Sequence, residues 1–419
     1  MHKRINLKNG TGLTCVTAAH TKTSCLSAVF QLPLGAAERS VSALLPMVLK
    51  NSSRTCRGRR AVTARLEDLY GARLEPTVRK RGEVQMVGFA ADVIDERFAM
   101  SKDSGLFAGT AQLMRDLLLD PDDFTMEIVQ REAENLCQTI AALPNDKRSW
   151  AVRRMYQHMC AEEAYSAVEF GEIEQLRAVT PEQLMQQYQK MIASAPLELF
   201  YCGSLSAQDA AQQLSEAFAQ RPEIAQICTP HTLVRSDIET VKRVTEQEPV
   251  KQGKLTLGFR TGITAKDAAY PAALVFNACF GGTTNSRLFR TVREQMSLCY
   301  YASSQMDKSK GVIAVSSGLE NESAPQAEQE ILHQLEEIQN GMLTQDELSA
   351  AKRSLCAVIQ TMQDSPLSME GFYQTQAAMG LYSSADDLLK AVQQVTAEQV
   401  MEAARKTVLD TVYFLKGEA

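Results

Sequence analysis

The sequence predicts an α+β fold of two homologous domains, each an antiparallel β-sheet with helices packed on one face. Three observations predict it. First, the end of the first half is written again in the second. Val179-Thr180-Pro181-Glu182-Gln183-Leu184-Met185 returns 216 residues later as Val395-Thr396-Ala397-Glu398-Gln399-Val400-Met401. A repeat this long means two copies of one domain, not a solenoid of small units. Second, both copies run on through a helical stretch with a lysine in register, Lys190 and Lys406. Each then enters a short apolar strand ending in glycine, Leu197 to Gly203 and Val412 to Gly417. Third, helices outnumber strands in both halves, as in a sheet with its helices on one side.

The elements follow in order. Leu26 to Phe30 reads as a strand, followed by the polar loop Gly35 to Ser40, an apolar helix and Asn51-Ser52-Ser53-Arg54. Val84 to Asp92 alternates as a strand does. Ala108 to Leu119 has helical spacing and stops before Pro121. Asp123 to Leu143 reads as a long helix closed by Pro144-Asn145-Asp146, and Ser149 to Cys160 continues helically. Thr180 is an N-cap, with Pro181 at the first helical position and Gln183 placed for a capping box. Thr396 to Gln399 repeats this start, and Thr344-Gln345-Asp346-Glu347 is a third. Residues 221–244 lack periodicity and read as a linker, with one strand near Thr240 to Thr245. In the second half Leu255 to Phe259 precedes the loop Thr261 to Lys266, another apolar helix and Asn285-Ser286-Arg287. Domains are therefore expected at 1–220 and 245–419.

Composition narrows the function. A hydrophobic fraction of 45%, a charged fraction of 22% and a net charge of −6 describe a soluble globular protein. They give no electrostatic case for nucleic acid. No window is apolar enough to span a bilayer. The N-terminus has charge but no following apolar run, so no signal peptide is read. Ten scattered cysteines without a Cys-x-x-Cys pair fit reduced thiols in a cytoplasm.

Catalytic motifs are sparse. The five histidines are His2, His20, His158, His231 and His333, and no two share a helical turn, so no local zinc site forms. His158 reads as a satisfied, partly buried helix side chain. There is no Gly-x-Ser-x-Gly turn, and Gly281-Gly282 lacks a P-loop ending. One segment stands apart: Phe280-Gly281-Gly282-Thr283-Thr284-Asn285-Ser286-Arg287-Leu288-Phe289, then Val292-Arg293-Glu294 and Leu298-Cys299-Tyr300. From periodicity alone, Arg293 is a surface arginine near a helix end and Tyr300 a core tyrosine at a strand start.

This segment resembles the second-domain signature of the M16 metallopeptidases, the insulinase and mitochondrial-processing-peptidase family. The resemblance covers almost the whole chain. Leu69-Tyr70-Gly71-Ala72 is most similar to the bacterial subgroup made as pairs, one member with zinc and one without. The resemblance implies half of a clamshell built from four similar domains.

The family's zinc motif, His-x-x-Glu-His, falls on Ser42-Ala43-Leu44-Leu45-Pro46, and the later glutamate ligand falls near Thr139. The resemblance thus implies ligands and base missing at Ser42, Leu45, Pro46 and Thr139. No zinc is expected in this chain, and zinc is expected in a partner. Arg293 and Tyr300 survive; in the family this pair reaches a substrate held at the other half's zinc. The family's peptide-binding edge strand would lie near Leu74 to Arg79, where Pro76 and the run Arg79-Lys80-Arg81 suit a guarded edge.

The expected function is that of the zinc-free subunit of a heterodimeric M16 peptidase. Its partner would be a zinc-bearing homologue and its substrate an unfolded peptide or leader segment. The alternative is a non-catalytic peptide-binding or structural homodimer.

Overall fold

Two sheets carry the chain in a computed structural model that describes residues 2–100, 105–224 and 226–417. The first half supplies β1 (His2–Asn6), β2 (Thr11–Thr17), β3 (Thr23–Pro33), α1 (Arg39–Leu49), α2 (Arg59–Asp68), β4 (Arg73–Arg81), β5 (Val84–Ile94), α3 (Leu106–Leu119), α4 (Met126–Ala142), α5 (Lys147–Met159), α6 (Ile173–Arg177), α7 (Pro181–Ser194), β6 (Leu197–Gly203) and α8 (Ala207–Ala217). The second supplies β7 (Lys242–Glu248), β8 (Gly253–Arg260), α9 (Tyr270–Asn277), β9 (Tyr301–Asp307), β10 (Val312–Leu319), α10 (Ala324–Gln339), α11 (Gln345–Gln363), α12 (Pro366–Ala378), α13 (Ala385–Gln394), α14 (Ala397–Arg405) and β11 (Val408–Gly417).

The sheets have the orders β1-β2-β6-β3-β5-β4 and β7-β11-β8-β10-β9. Without β1, the first order maps onto the second strand for strand. The repeated helices α7 and α14 lead into equivalent interior strands, β6 and β11. Both helices start with the capping box expected of them, Thr180 with Gln183 and Thr396 with Gln399. Each sheet is antiparallel apart from one parallel pair, β2 with β6 and β7 with β11. Those strands are far apart in sequence, so no hairpin forces them to run oppositely.

The chain divides into two units that do not follow its halves. One comprises residues 1–141, 167–231 and 362–382, and the other 142–166, 232–361 and 383–419. α12 therefore belongs with the first sheet and α5 with the second. Strand alternation shows where α12 lies. On β3, Leu26, Ala28, Phe30 and Leu32 face the main core with Leu44 and Leu45 of α1. The intervening positions face the other way: Val29 packs with Val84, Met86 and Ala378 of α12, and Ser27 Oγ accepts from Gln374 Nε2 at 3.0 Å.

In the second unit, Met155 and Met159 of α5 pack with Val312, Ala314, Tyr413 and Leu415. Gly258 lies beneath them, and a Cβ there would stand 2.4 Å from Met155 Sδ. The turn after α5 is anchored by buried Glu163, which takes Arg260 at 2.7 Å and Lys310 at 2.5 Å. The structure thus adds one helix to the sheet face opposite the expected layer, each time from the other half of the sequence. Nothing local announces α12 in this place: it buries Glu370, Gln374 and Gln376 beside Met369 and Phe372, so it carries no clean apolar stripe.

Candidate functional site

α1 presents its central positions inward. Ser42 is buried, and its hydroxyl accepts from Gln187 Nε2 of α7 at 2.8 Å. Leu45 is fully buried in the main core. Pro46 is buried within the helix; lacking an N–H, it leaves the Ser42 carbonyl without its usual i+4 donor. Thr139 is elsewhere. It lies on the exposed side of α4, whose buried residues are Val129, Ala133, Leu136 and Cys137. Its hydroxyl donates back to the Asn135 carbonyl at 3.0 Å.

The α4 carboxylate brought to the end of α1 is Glu132, which accepts from Asn51 Nδ2 at 3.3 Å. Arg131 holds the same asparagine through its Oδ1 at 2.6 Å. An alcohol, an alkyl chain and a proline, sealed under α7, do not fit a zinc ion, which takes imidazole, thiolate or carboxylate ligands. Among the described residues no group of three or more His, Cys, Asp and Glu is arranged to hold a metal ion.

The second-half segment splits into a structural part and an exposed part. Its glycines close a π-helical turn, Ala278–Gly282. At Gly281 a Cβ would stand 2.7 Å from the Ser304 backbone nitrogen of β9, so a side chain there would push the turn off the sheet. Arg287 is buried and ion-paired with Glu347 and Glu337. Leu288 and Val292 bury the inner side of the next π-helical turn, Leu288–Gln295.

Arg293 lies on that turn's outer side, with its side chain 40% exposed and Nε 3.3 Å from Glu294 Oε1. Its guanidinium lies over the Phe289 ring at 4.6 Å. Tyr300 precedes β9 and is 55% exposed, in place of the core position read from periodicity. Its backbone N–H is held by the Gly318 carbonyl at 2.8 Å, and its hydroxyl donates to Glu320 Oε1 at 2.6 Å. That bond and the carboxylate's charge raise the phenol above its ordinary pKa, so it stays a donor. Among the described residues no hydrogen bond or ion pair joins Arg293 to Tyr300.

β4 forms an edge of the first sheet. Its basic run is engaged rather than left as bare charge. Arg79 pairs with the buried Glu370 of α12 at 2.6 Å, Arg81 Nε donates to Thr375 Oγ1 at 2.7 Å, and Lys80 reaches the Ala167 carbonyl. Arg79 and Arg81 share one strand face, and α12 lies on it. The sequence carried no sign of this, because the helix they hold is nearly 300 residues away.

A profile of the family domain described as "Peptidase M16 inactive domain" matches residues 178–355. A Bacillus subtilis protein named "Probable inactive metalloprotease YmfF" is 31% identical over 413 residues, covering 97% of this chain and 96% of that one. A conserved protein of Enterococcus faecalis V583 has a crystal structure similar at TM-score 0.85 and 25% identity, over 100% of this chain and 99% of that one. A Pseudomonas fluorescens structure described as a peptidase M16 inactive domain has TM-score 0.79 at 18% identity, over 100% and 98% of the two chains.

Proposed function

The chain belongs to the M16 peptidase family, among its inactive members, and we propose that it is the zinc-free subunit of a heterodimeric peptidase. The observation that carries this reading is the filling of the first helix. Where the family's motif falls, Ser42, Leu45 and Pro46 are built into a core and cannot take a metal. The partner in this reading is a zinc-bearing M16 homologue in the same cytoplasm. The substrate is an unfolded peptide or leader segment. The inherited domains are the sequence repeats 1–220 and 245–419, joined through 221–244.

In such a dimer this chain binds and orients, and its own residues take no part in activating water. Tyr300 has an exposed hydroxyl that can donate to a developing oxyanion, and Arg293 a half-exposed cation that can hold a peptide carbonyl. One observation favours the second reading, a non-catalytic peptide-binding or structural homodimer. The single Tyr300 proton is already given to Glu320, and it must leave that carboxylate before it serves a substrate.

The deciding experiment is co-expression with a homologue that carries His-x-x-Glu-His. A stable mixed dimer that cleaves peptides, when neither chain does so alone, supports the first reading. A homodimer that ignores such a homologue and cleaves nothing supports the second.

A further inference from the structure

The in-register lysines, Lys190 and Lys406, have no role in that function. Each lines a cavity, one of about 510 Å³ in the first unit and one of about 350 Å³ in the second. The two cavities correspond residue for residue. Val179, Gln183, Gln186 and Lys190 of one are Val395, Gln399, Glu402 and Lys406 of the other. On the facing wall, Glu38 before α1 corresponds to Ala269 before α9.

Valine, glutamine and lysine are the same in both copies, and two of them have local reasons. The glutamine closes the capping box, and the valine precedes the cap where an apolar residue staples the helix start. The lysine has no such reason. In the first unit its ammonium holds the Glu38 carboxylate at 2.8 Å. In the second unit the lysine is kept while its internal partner is reduced to a methyl group. Lys406 makes no ion pair among the described residues.

We propose that the second cavity binds an external carboxylate on Lys406, an acidic side chain or chain end of a peptide, in the place that Glu38 takes on Lys190 in the first. Glu402 lines the same cavity one helical turn before Lys406. Its charge opposes any anion, a dianion such as phosphate more than a single carboxylate on a largely neutral peptide.

The test is a ligand-observed NMR titration of the full chain. The probes are N-acetylglutamate amide, with only a side-chain carboxylate, and N-acetylalanine, with only a terminal one. Saturable binding is expected for at least one probe, and the stronger identifies the source. Lys406→Met should weaken it about tenfold or more, the loss of one charge-assisted hydrogen bond. Lys190→Met should leave it unchanged. Ala269→Glu should supply the internal carboxylate and abolish it. Lys406 is exposed, so its variant should melt as the parent does. No saturable binding of either probe by the parent chain, or binding indifferent to Lys406→Met, overturns the proposal.

Discussion

Arg287 and Glu347 meet as a fork on a fork: Nε lies 3.0 Å from Oε1 and Nη2 3.0 Å from Oε2, with both side chains only 8% exposed. Glu347 also accepts from the Thr344 backbone N–H at 2.9 Å and so closes the box that starts α11. The arginine of the second-half signature therefore joins the π-helical turn to α11. Arg287→Ala would leave the buried carboxylate with only the half-exposed Arg290, 3.5 Å away, as its cation, so the cost should approach but not exceed the about 3–5 kcal/mol of a broken buried pair. A markedly lower denaturant midpoint is expected, measured by circular dichroism on the isolated chain. An unchanged midpoint would show that the fork does not hold this region.

Tyr300→Phe should behave in the opposite way. The hydroxyl lies at the surface and donates only to an exposed carboxylate, so thermal melting should hardly move. In an active mixed dimer, turnover should fall by roughly 10²- to 10³-fold, the usual loss for one oxyanion donor. Arg293→Ala should also weaken substrate binding, since a charged donor acts in ground and transition states alike. Full turnover with Tyr300→Phe would reduce the pair to part of the chamber wall.

The local grammar of this chain was readable, and its long-range pairings were not. The capping boxes at Thr180 and Thr396 are three-residue rules, and the structure contains both. β7 begins at Lys242, close to the strand expected near Thr240. The helix expected over Asp123 to Leu143 starts at Met126. The missed features depend on distant partners. Arg79 looked like a guard charge because Glu370 could not be foreseen. Arg287 looked like one more motif residue because Glu347 is 60 positions on. Periodicity alone makes Tyr300 a core residue, against the substrate-facing place the resemblance implies, yet the neighbouring Tyr301 is the one that packs, under the Arg148 guanidinium at 4.2 Å.

Rebuilding the zinc motif should fail. Leu45 is fully buried, and a carboxylate there has no partner to offset its lost hydration. The triple variant Ser42→His, Leu45→Glu, Pro46→His should lose several kcal/mol of stability and gain no stoichiometric zinc by elemental analysis. The parent chain should likewise carry no stoichiometric zinc and cleave nothing alone. One equivalent of zinc in either, with chelator-sensitive cleavage, would contradict the reading of α1.

Acid should loosen the second unit through Glu246. This β7 residue receives Arg154 Nε at 3.0 Å and the Tyr413 hydroxyl at 2.6 Å, with His158 Nε2 at 3.2 Å. It thereby ties α5 to β7 and β11. The Arg154 hydrogen bond pulls its pKa to about 2, against partial burial and with help from Tyr413 and His158. The folded pKa lies below the unfolded one, so an unfolded chain takes up the proton first as pH falls. The stabilisation is complete above the unfolded value, roughly pH 4.5, and disappears as pH falls toward 2. Its size is at most about 3 kcal/mol, and the quarter-exposed side chain reduces that further. Glu246→Gln should therefore lower the urea midpoint at pH 7 and have progressively less effect as pH falls toward 2, where the parent carboxyl begins to take up its proton in the folded state as well. A gap between parent and variant that stays constant from pH 7 to 2.5 would show that the cluster's ionisation does not support the fold.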